Sequence, residues 1–276
     1  IPDFGLPLQT LKNEALLLRE RTRAYSGRTY SIGFSLQHPI NDYFKAAIGL
    51  VGEGGRIRRE EVTYRTRLIG IPGELKADFT DDLLDPTHGI KAELKVTPYY
   101  GRLGTSHNMV IGSSTLSAYL PFATNEIGES RCVLAAFIKG GSIFNQRLET
   151  IPPNKRFYAG GSGSVRGYGY QLLGPLDSQS IPLGGRSLAE TGAEIRIKTT
   201  ETIGFVSFIE GGTVKTDRMP SFSKKVLWGA GFGFRYYSPL GPIRADIAFP
   251  LERRKDMNGK RIDSAFQLYL SVGQAF

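Results

Sequence analysis

The sequence predicts an all-β protein: an antiparallel barrel that crosses a membrane with strands. Three observations carry this. Apolar residues recur at every second position through most of the chain, which is the period of a strand and not of a helix. The chain holds 34 Gly, 13 Tyr and 16 Phe in 276 residues although only 40% of them are hydrophobic. That mixture suits a wall with one apolar face and one wet face. No segment suits a membrane-crossing helix, which needs about 20 mostly apolar residues. The longest charge-free stretch, residues 103–125, is over half Gly, Ser, Thr, Asn, His and Pro. A barrel strand needs only about 9–11 residues, every second one apolar.

The pattern gives about twelve strands, near residues 9–24, 28–38, 43–57, 62–81, 90–100, 109–121, 131–142, 188–199, 202–214, 226–237, 243–252 and 266–276. In the second, Tyr30, Ile32, Phe34 and Leu36 oppose Thr29, Ser31, Gly33 and Ser35. The fourth carries Pro72-Gly73, a possible turn, yet Ile69, Ile71, Leu75, Ala77 and Phe79 keep one parity straight through it. It reads as one long strand, with Thr63, Arg65 and Arg67 standing outside the bilayer. In the fifth, Ile90, Ala92, Leu94, Val96 and Tyr100 oppose Lys91, Glu93, Lys95 and Thr97. The eighth sets Ala193, Ile195 and Ile197 against Glu190, Gly192, Glu194, Arg196 and Lys198, and the ninth sets Ile203, Phe205 and Ile209 against Glu210. The tenth places Val226, Trp228, Ala230, Phe232, Phe234 and Tyr236 on one face. The eleventh does the same with Ile243, Ala245, Ile247, Phe249 and Leu251, against Arg244, Asp246 and Ala248. The last groups Phe266, Leu268, Leu270, Val272 and Phe276.

A soluble antiparallel sandwich also alternates. It would gather its apolar faces into a dry core. Here almost every strand carries Phe, Tyr or Trp on one face and Gly, Lys, Arg or Glu on the other, which favours lipid outside and water inside. Connections alternate in length. Short turns fall at 38–42, 199–201 and 238–242, and longer loops at 101–108 and 251–265. One connection, residues 143–187, is about 45 residues long, and a loop of that length in a compact domain is usually functional.

Composition narrows the chemistry. A single Cys, Cys132, excludes an intramolecular disulfide and a Cys-based zinc site, and His38, His88 and His107 are isolated. Neither metal nor cofactor is expected. Cys132 reads as a packed or lipid-facing thiol. The net charge of +9 is spread over strand faces and loops, with no basic helix or aromatic RNA-binding signature, so nucleic acid is not an expected partner. Basic loops near anionic headgroups and a basic lumen account for it better. The N-terminus, Ile1-Pro2-Asp3-Phe4, lacks a basic start and an apolar run, so no secretory signal is read there. An outer-membrane barrel needs one, and the chain is expected to be part of a longer protein.

The long loop contains Lys155-Arg156-Phe157-Tyr158-Ala159-Gly160-Gly161-Ser162-Gly163-Ser164-Val165-Arg166-Gly167-Tyr168 and then Leu173-Gly174-Pro175. It is not a phosphate loop, because Arg166 stands where a glycine is needed and no Gly-Lys-Ser/Thr follows. It is not a nucleophile elbow, because neither Ser162 nor Ser164 is centred in G-x-S-x-G. No nucleophile, base and acid have usable spacing, so an enzyme is not expected.

R-F-Y-A-G-G-x-x-S-V-R-G-Y followed by L-G-P resembles the sixth-loop signature of the POTRA-plus-barrel assembly and secretion superfamily. BamA, TamA and the two-partner secretion transporters belong to it. Pro182-Leu183-Gly184-Gly185-Arg186, Ala193-Glu194-Ile195-Arg196 and Gly204-Phe205-Val206-Ser207-Phe208-Ile209-Glu210 resemble the strands that follow, with Glu210 where the superfamily usually has Asp. The run from Gly229 to Pro242, and Asp81-Asp82-Leu83-Leu84-Asp85-Pro86-Thr87-His88-Gly89, a periplasmic turn, look most like TamA.

The resemblance implies a bacterial outer-membrane location and residues 1–276 as the C-terminal part of a sixteen-strand barrel, its first strands and POTRA domains lying upstream. It implies insertion and translocation of outer-membrane proteins, autotransporters among them, through a barrel seam that opens without covalent chemistry. The partners would be membrane lipid, unfolded clients and a periplasm-spanning inner-membrane protein reached through the POTRA domains. Alternatives are a general barrel insertase, a two-partner secretion pore and, least favoured, a passive porin. The expected site is the loop motif Val165, Arg166, Gly167 and Tyr168. The resemblance places Arg166 beside Glu194 and Glu210 in the lumen. Phe276, an aromatic at the end of the last strand, is expected to be the barrel-assembly signal.

Overall fold

The computed structural model describes residues 8–103, 106–124, 130–223, 225–238 and 241–273. They form one antiparallel sheet of thirteen strands. The strands are β1 Thr10–Arg21, β2 Ser26–Pro39, β3 Phe44–Arg59, β4 Val62–Gly70, β5 Gly73–Asp78, β6 Gly89–Leu103 and β7 Ser106–Thr124. They continue with β8 Ser130–Phe144, β9 Ser187–Lys198, β10 Ile203–Lys215, β11 Leu227–Ser238, β12 Gly241–Pro250 and β13 Gln267–Val272. Each pairs with its neighbours in chain order, except that β4 and β5 share one place between β3 and β6.

That shared place corrects the reading of residues 62–81 as one unbroken strand. Proline has no N–H to give the ladder, and at Ile71-Pro72 the strand is interrupted. The flanking bonds survive: Ile71 N–H donates to Pro98 O at 3.0 Å and Gly49 N–H to Pro72 O at 2.8 Å. Side-chain parity therefore passes through the break, and Ile69, Ile71, Leu75 and Phe79 all stay on the exposed face. A second correction concerns residues 101–108, expected as a long loop. Strands β6 and β7 run on to Leu103 and Ser106, with a register shift between Tyr100 and Leu103. Pairing that rises above the bilayer needs no apolar face, so the alternation fades before the strands end.

The two faces of the sheet are inverted relative to a soluble protein. Phe205, Phe232, Leu268 and Leu270 are 52%, 61%, 69% and 79% exposed, whereas Glu190, Glu194, Glu210, Arg196, Arg235 and Asp246 are buried on the opposite face. Lipid supplies the solvent for the first set, and the protein itself covers the second.

The cover is the β8–β9 connection, residues 145–186, which lies across the concave face. At one side Lys155 Nζ donates to Glu53 of β3 at 2.6 Å and sits 4.5 Å from the centre of the Tyr99 ring. Asp177 pairs with Arg59 of β3. At the other side Arg244 Nη2 donates to Ser162 O at 3.3 Å and Arg254 Nη2 to Leu172 O at 2.7 Å. One loop can touch both β3 and β12 only if the sheet curls around it. Two apolar clusters anchor it: Ala159, Val165, Tyr168 and Leu173 with Leu188, Val214 and Leu227, and Ile151 with Leu68, Met109 and Ile143. Phe157 packs against both.

Candidate functional site

The loop tip delivers Arg166 to the inner wall, where its side chain is fully buried. Three strands meet it. Glu194 lies on β9, Glu210 on β10 and Asp246 on β12, all with inward parity. Arg166 Nε donates to Glu210 Oε1 at 3.0 Å, and its backbone N–H to Glu210 Oε2 at 2.8 Å. Its Nη1 donates to Asp246 Oδ2 at 2.9 Å and its Nη2 to Glu194 Oε1 at 2.5 Å. The guanidinium carbon lies over the Phe208 ring, 3.4 Å from its centre. A planar fork with several fixed donors is the only side chain that can serve three carboxylates and an aromatic face together.

The charges balance. Arg196 Nε donates to Glu194 Oε2 at 3.1 Å, and Arg235 Nη1 pairs with Asp246. Arginines 166, 196 and 235 thus face Glu194, Glu210 and Asp246 in a largely dry cluster. Burying ions costs several kcal/mol each unless they are paired with good geometry, so the cluster holds as a set. It ties β9, β10, β11 and β12 to one loop residue.

Backbone geometry explains the glycines around it. Gly167 has φ +99°, and a Cβ there would come within 2.9 Å of the Phe249 backbone. A Cβ on Gly229 would lie 1.9 Å from the Arg166 carbonyl oxygen. The loop can approach β11 and β12 this closely only without those side chains. Val165 is fully buried in the first apolar cluster. The Tyr168 hydroxyl lies 3.0 Å from the Glu252 carbonyl and 3.2 Å from that of Trp228 and donates to this pair.

The tip also reaches the last described strand. The Tyr269 hydroxyl of β13 accepts from Gly167 N–H at 3.1 Å and donates to Tyr168 O at 3.2 Å. Arg244 Nε donates to Ser271 Oγ beside it. Sequence reasoning missed Asp246, Arg235, Arg196, Phe208 and Tyr269 as members of the site. Their inward parity was visible, but which inward residues converge depends on the curl of the sheet. Phe276 lies outside the described residues.

The fold and its buried interior define an outer-membrane β-barrel wall closed from within by a folded loop. Residues 18–276 match the Omp85 superfamily domain, and the chain belongs to that superfamily. It is 25% identical over 283 residues to the outer membrane protein assembly factor BamA of Nitratidesulfovibrio vulgaris, matching 96% of this chain and 34% of the relative. It is 24% identical over 307 residues to BamA of Neisseria meningitidis serogroup B, matching 89% and 36%. The chain therefore spans about a third of the length of these relatives. Among solved structures, BamA from Haemophilus ducreyi lacking POTRA domains 1–3 superposes with a TM-score of 0.73 at 18% identity, covering 97% of this chain and 59% of that one. CdiB from Acinetobacter baumannii gives 0.61 at 16%, covering 98% and 49%. These two likenesses concern the fold.

Proposed function

We propose that these residues are the barrel domain of a longer outer-membrane protein that inserts other barrel proteins, autotransporters among them, by offering a strand edge inside the membrane. One observation carries the reading. The loop tip holds the inner face of β13, the last described strand, through Tyr269, so the strand stays in place while its backbone edge exchanges partners. An unpaired edge is a template for another strand. In hydrocarbon each unpaired amide costs several kcal/mol, so an arriving client strand gains by pairing there. No covalent chemistry enters. Arg166, with Glu194, Glu210 and Asp246, keeps the wall next to the seam rigid while the edge exchanges partners. Val165, Gly167 and Tyr168 hold the arginine in place, and Phe276 serves as the barrel-assembly signal. The partners in this reading are lipid, unfolded clients and a periplasm-spanning protein bound through upstream POTRA domains.

The test is reconstitution of the full-length protein in vesicles with an unfolded autotransporter barrel as client. Cysteines along β13 should crosslink to the client's strand during assembly, and Arg166→Ala should slow assembly without removing the barrel. Insertion of the client with no β13 crosslink would overturn the edge mechanism. Secretion of a soluble substrate without barrel insertion would assign the chain to the secretion-pore class instead.

A further inference from the structure

The outer face at the loop end of β1–β6 carries charge that no carboxylate among the described residues answers. The ladder places Arg19 opposite Arg28, Arg28 opposite Arg56 and Arg56 opposite Arg65. One row below, Leu17, Tyr30, Gly54, Arg67 and Arg102 are successive partners. All six arginines are exposed and share the parity of the lipid-facing residues. Strands stand about 4.8 Å apart and same-face rows about 7 Å apart, so the six, on five neighbouring strands, span about 19 Å across the wall and one row step along it. The next row down is Ala15, Ile32, Gly52, Ile69 and Tyr100, where apolar surface begins. The patch therefore sits at the extracellular boundary of the bilayer, on the same side as the long loop.

Like charges directly opposite each other destabilise a sheet, and a run of four does so repeatedly. Among the described residues no carboxylate forms an ion pair with any of the six. While Glu61 is exposed at the β3–β4 turn, two nearby acids are turned inward and occupied, Glu20 accepting from Tyr25 and Glu53 from Lys155. Arg59, inward on the same strand, has Glu60 and Asp177. The contrast is between paired charges on the wet face and unpaired ones on the lipid face. Between the arginines the wall is notched at Gly54, with Tyr30 lying across one side of it.

We propose that this patch is a binding site for a lipid headgroup bearing two phosphates in the outer leaflet. Guanidinium forks bind phosphate oxygens in pairs, and two rows of arginine offer two such places side by side. The acyl chains then lie down the apolar rows beginning at Ile32 and Ile69. The lipid neutralises a strip of the wall that otherwise repels itself, and it holds the first described strands, β1–β4, to the leaflet.

The test measures binding of fluorescent bisphosphoryl lipid A to the protein in detergent micelles, against its monophosphoryl form, phosphatidylglycerol and inorganic phosphate. R56Q/R65Q/R67Q should weaken bisphosphoryl binding by about 100-fold, near fivefold for each charge removed at an anionic surface. K255Q/K260Q/R261Q, three exposed cations in the β12–β13 connection, should leave it unchanged. Folding is followed by the emission of Trp228, the single tryptophan. If the triple variant does not fold, R56Q and R56K are compared, and R56Q should weaken binding more. Equal affinity of wild type and variant, or equal loss in the control variant, would overturn the site. Competition by inorganic phosphate at matching concentration would overturn the lipid assignment, and equal binding of phosphatidylglycerol would overturn the requirement for two phosphates.

Discussion

Replacing Arg166 with alanine removes one residue from four partners, and the structure says which of them suffers. Glu194 keeps Arg196 at 3.1 Å, and Asp246 keeps Arg235. Among the described residues Glu210 has only Arg166: its Nε at 3.0 Å, its Nη2, and its backbone N–H at 2.8 Å. After the substitution a buried carboxylate holds one backbone hydrogen bond and no cation. Breaking a buried pair in this way costs about 3–5 kcal/mol. The penalty comes mainly from the stranded charge, so neutralising it should return part of the loss. In Arg166→Ala with Glu210→Gln the remaining cost is that of a poorly satisfied neutral amide, about 1–3 kcal/mol. The double variant should thus be more stable than Arg166→Ala alone, by about 2 kcal/mol on these magnitudes. The assay is urea unfolding in lipid vesicles followed by Trp228, whose carbonyl already receives the Tyr168 hydroxyl. The reasoning fails if Arg166→Ala lies within about 1 kcal/mol of wild type, the range of an exposed pair. It fails equally if the double variant is no more stable than the single.

Other outcomes follow from the same geometry. Arginine at Leu270, 79% exposed on the lipid face, should cost about 2–4 kcal/mol if it lies near the midplane. Arginine at inward-facing Ser271 should cost much less, and equal tolerance in a refolding assay would contradict the orientation. Gly229→Ala brings a Cβ to 1.9 Å from the Arg166 carbonyl. It should loosen the loop tip toward protease while the barrel stays formed, and an unchanged cleavage rate would count against the close approach. Deleting Phe276 should reduce insertion in cells more than refolding in detergent; equal loss in both would favour a packing role. In the β5–β6 turn, burial pulls the Asp81 carboxyl up, but bonds from the Thr87 hydroxyl and the His88 and Thr87 amides outweigh it and hold the group below its usual range. That stability is present above the ordinary carboxylate pKa of about 4 and is lost as pH falls through the depressed value. Protection of the Thr87 and His88 amides, taken relative to the intrinsic exchange rate at each pH, should therefore fall in acid, and Asp81→Asn should lower it already at neutral pH.

The strands were legible because a two-residue period needs no tertiary information, and the rule that one face meets lipid sharpened it. What failed was local. Pro72 broke a ladder that side-chain parity alone carried through, and the β6–β7 hairpin continued where its apolar pattern had ended. Convergence was harder to read. Glu194 and Arg196 sit two apart on β9, but Asp246 lies three strands away across the sheet. Its meeting with Arg166 depends on how far the wall curls and how deep the loop descends. Phe208 shares the parity of Glu210, and nothing in the pattern distinguished it as the surface on which a guanidinium would lie. Tyr269 gave no signal beyond an aromatic on the inward face of a strand.

The placement of Tyr269 matters for how the edge could work. Among the described residues strand β13 pairs with β12 over Ile243–Ala248 and Gln267–Val272. Its luminal side adds the Tyr269 bonds to the loop tip and the Ser271 contact with Arg244. Those bonds lie inside, roughly perpendicular to the ladder, so a new strand joining the outer edge of β13 disturbs none of them. Peeling β13 from β12 would instead move the Tyr269 hydroxyl away from Gly167 and Tyr168, one and two residues from Arg166. Each neutral hydrogen bond contributes only about 0.5–1.5 kcal/mol net, too little to lock the strand but enough to bias it. A Tyr269→Phe variant should therefore leave the Arg166 cluster formed while letting β13 fray, which faster amide exchange on β13 with unchanged exchange on β9 and β10 would register. Equal quickening on all three strands would mean that the loop tip and the wall form one cooperative unit, and that the edge cannot open without it.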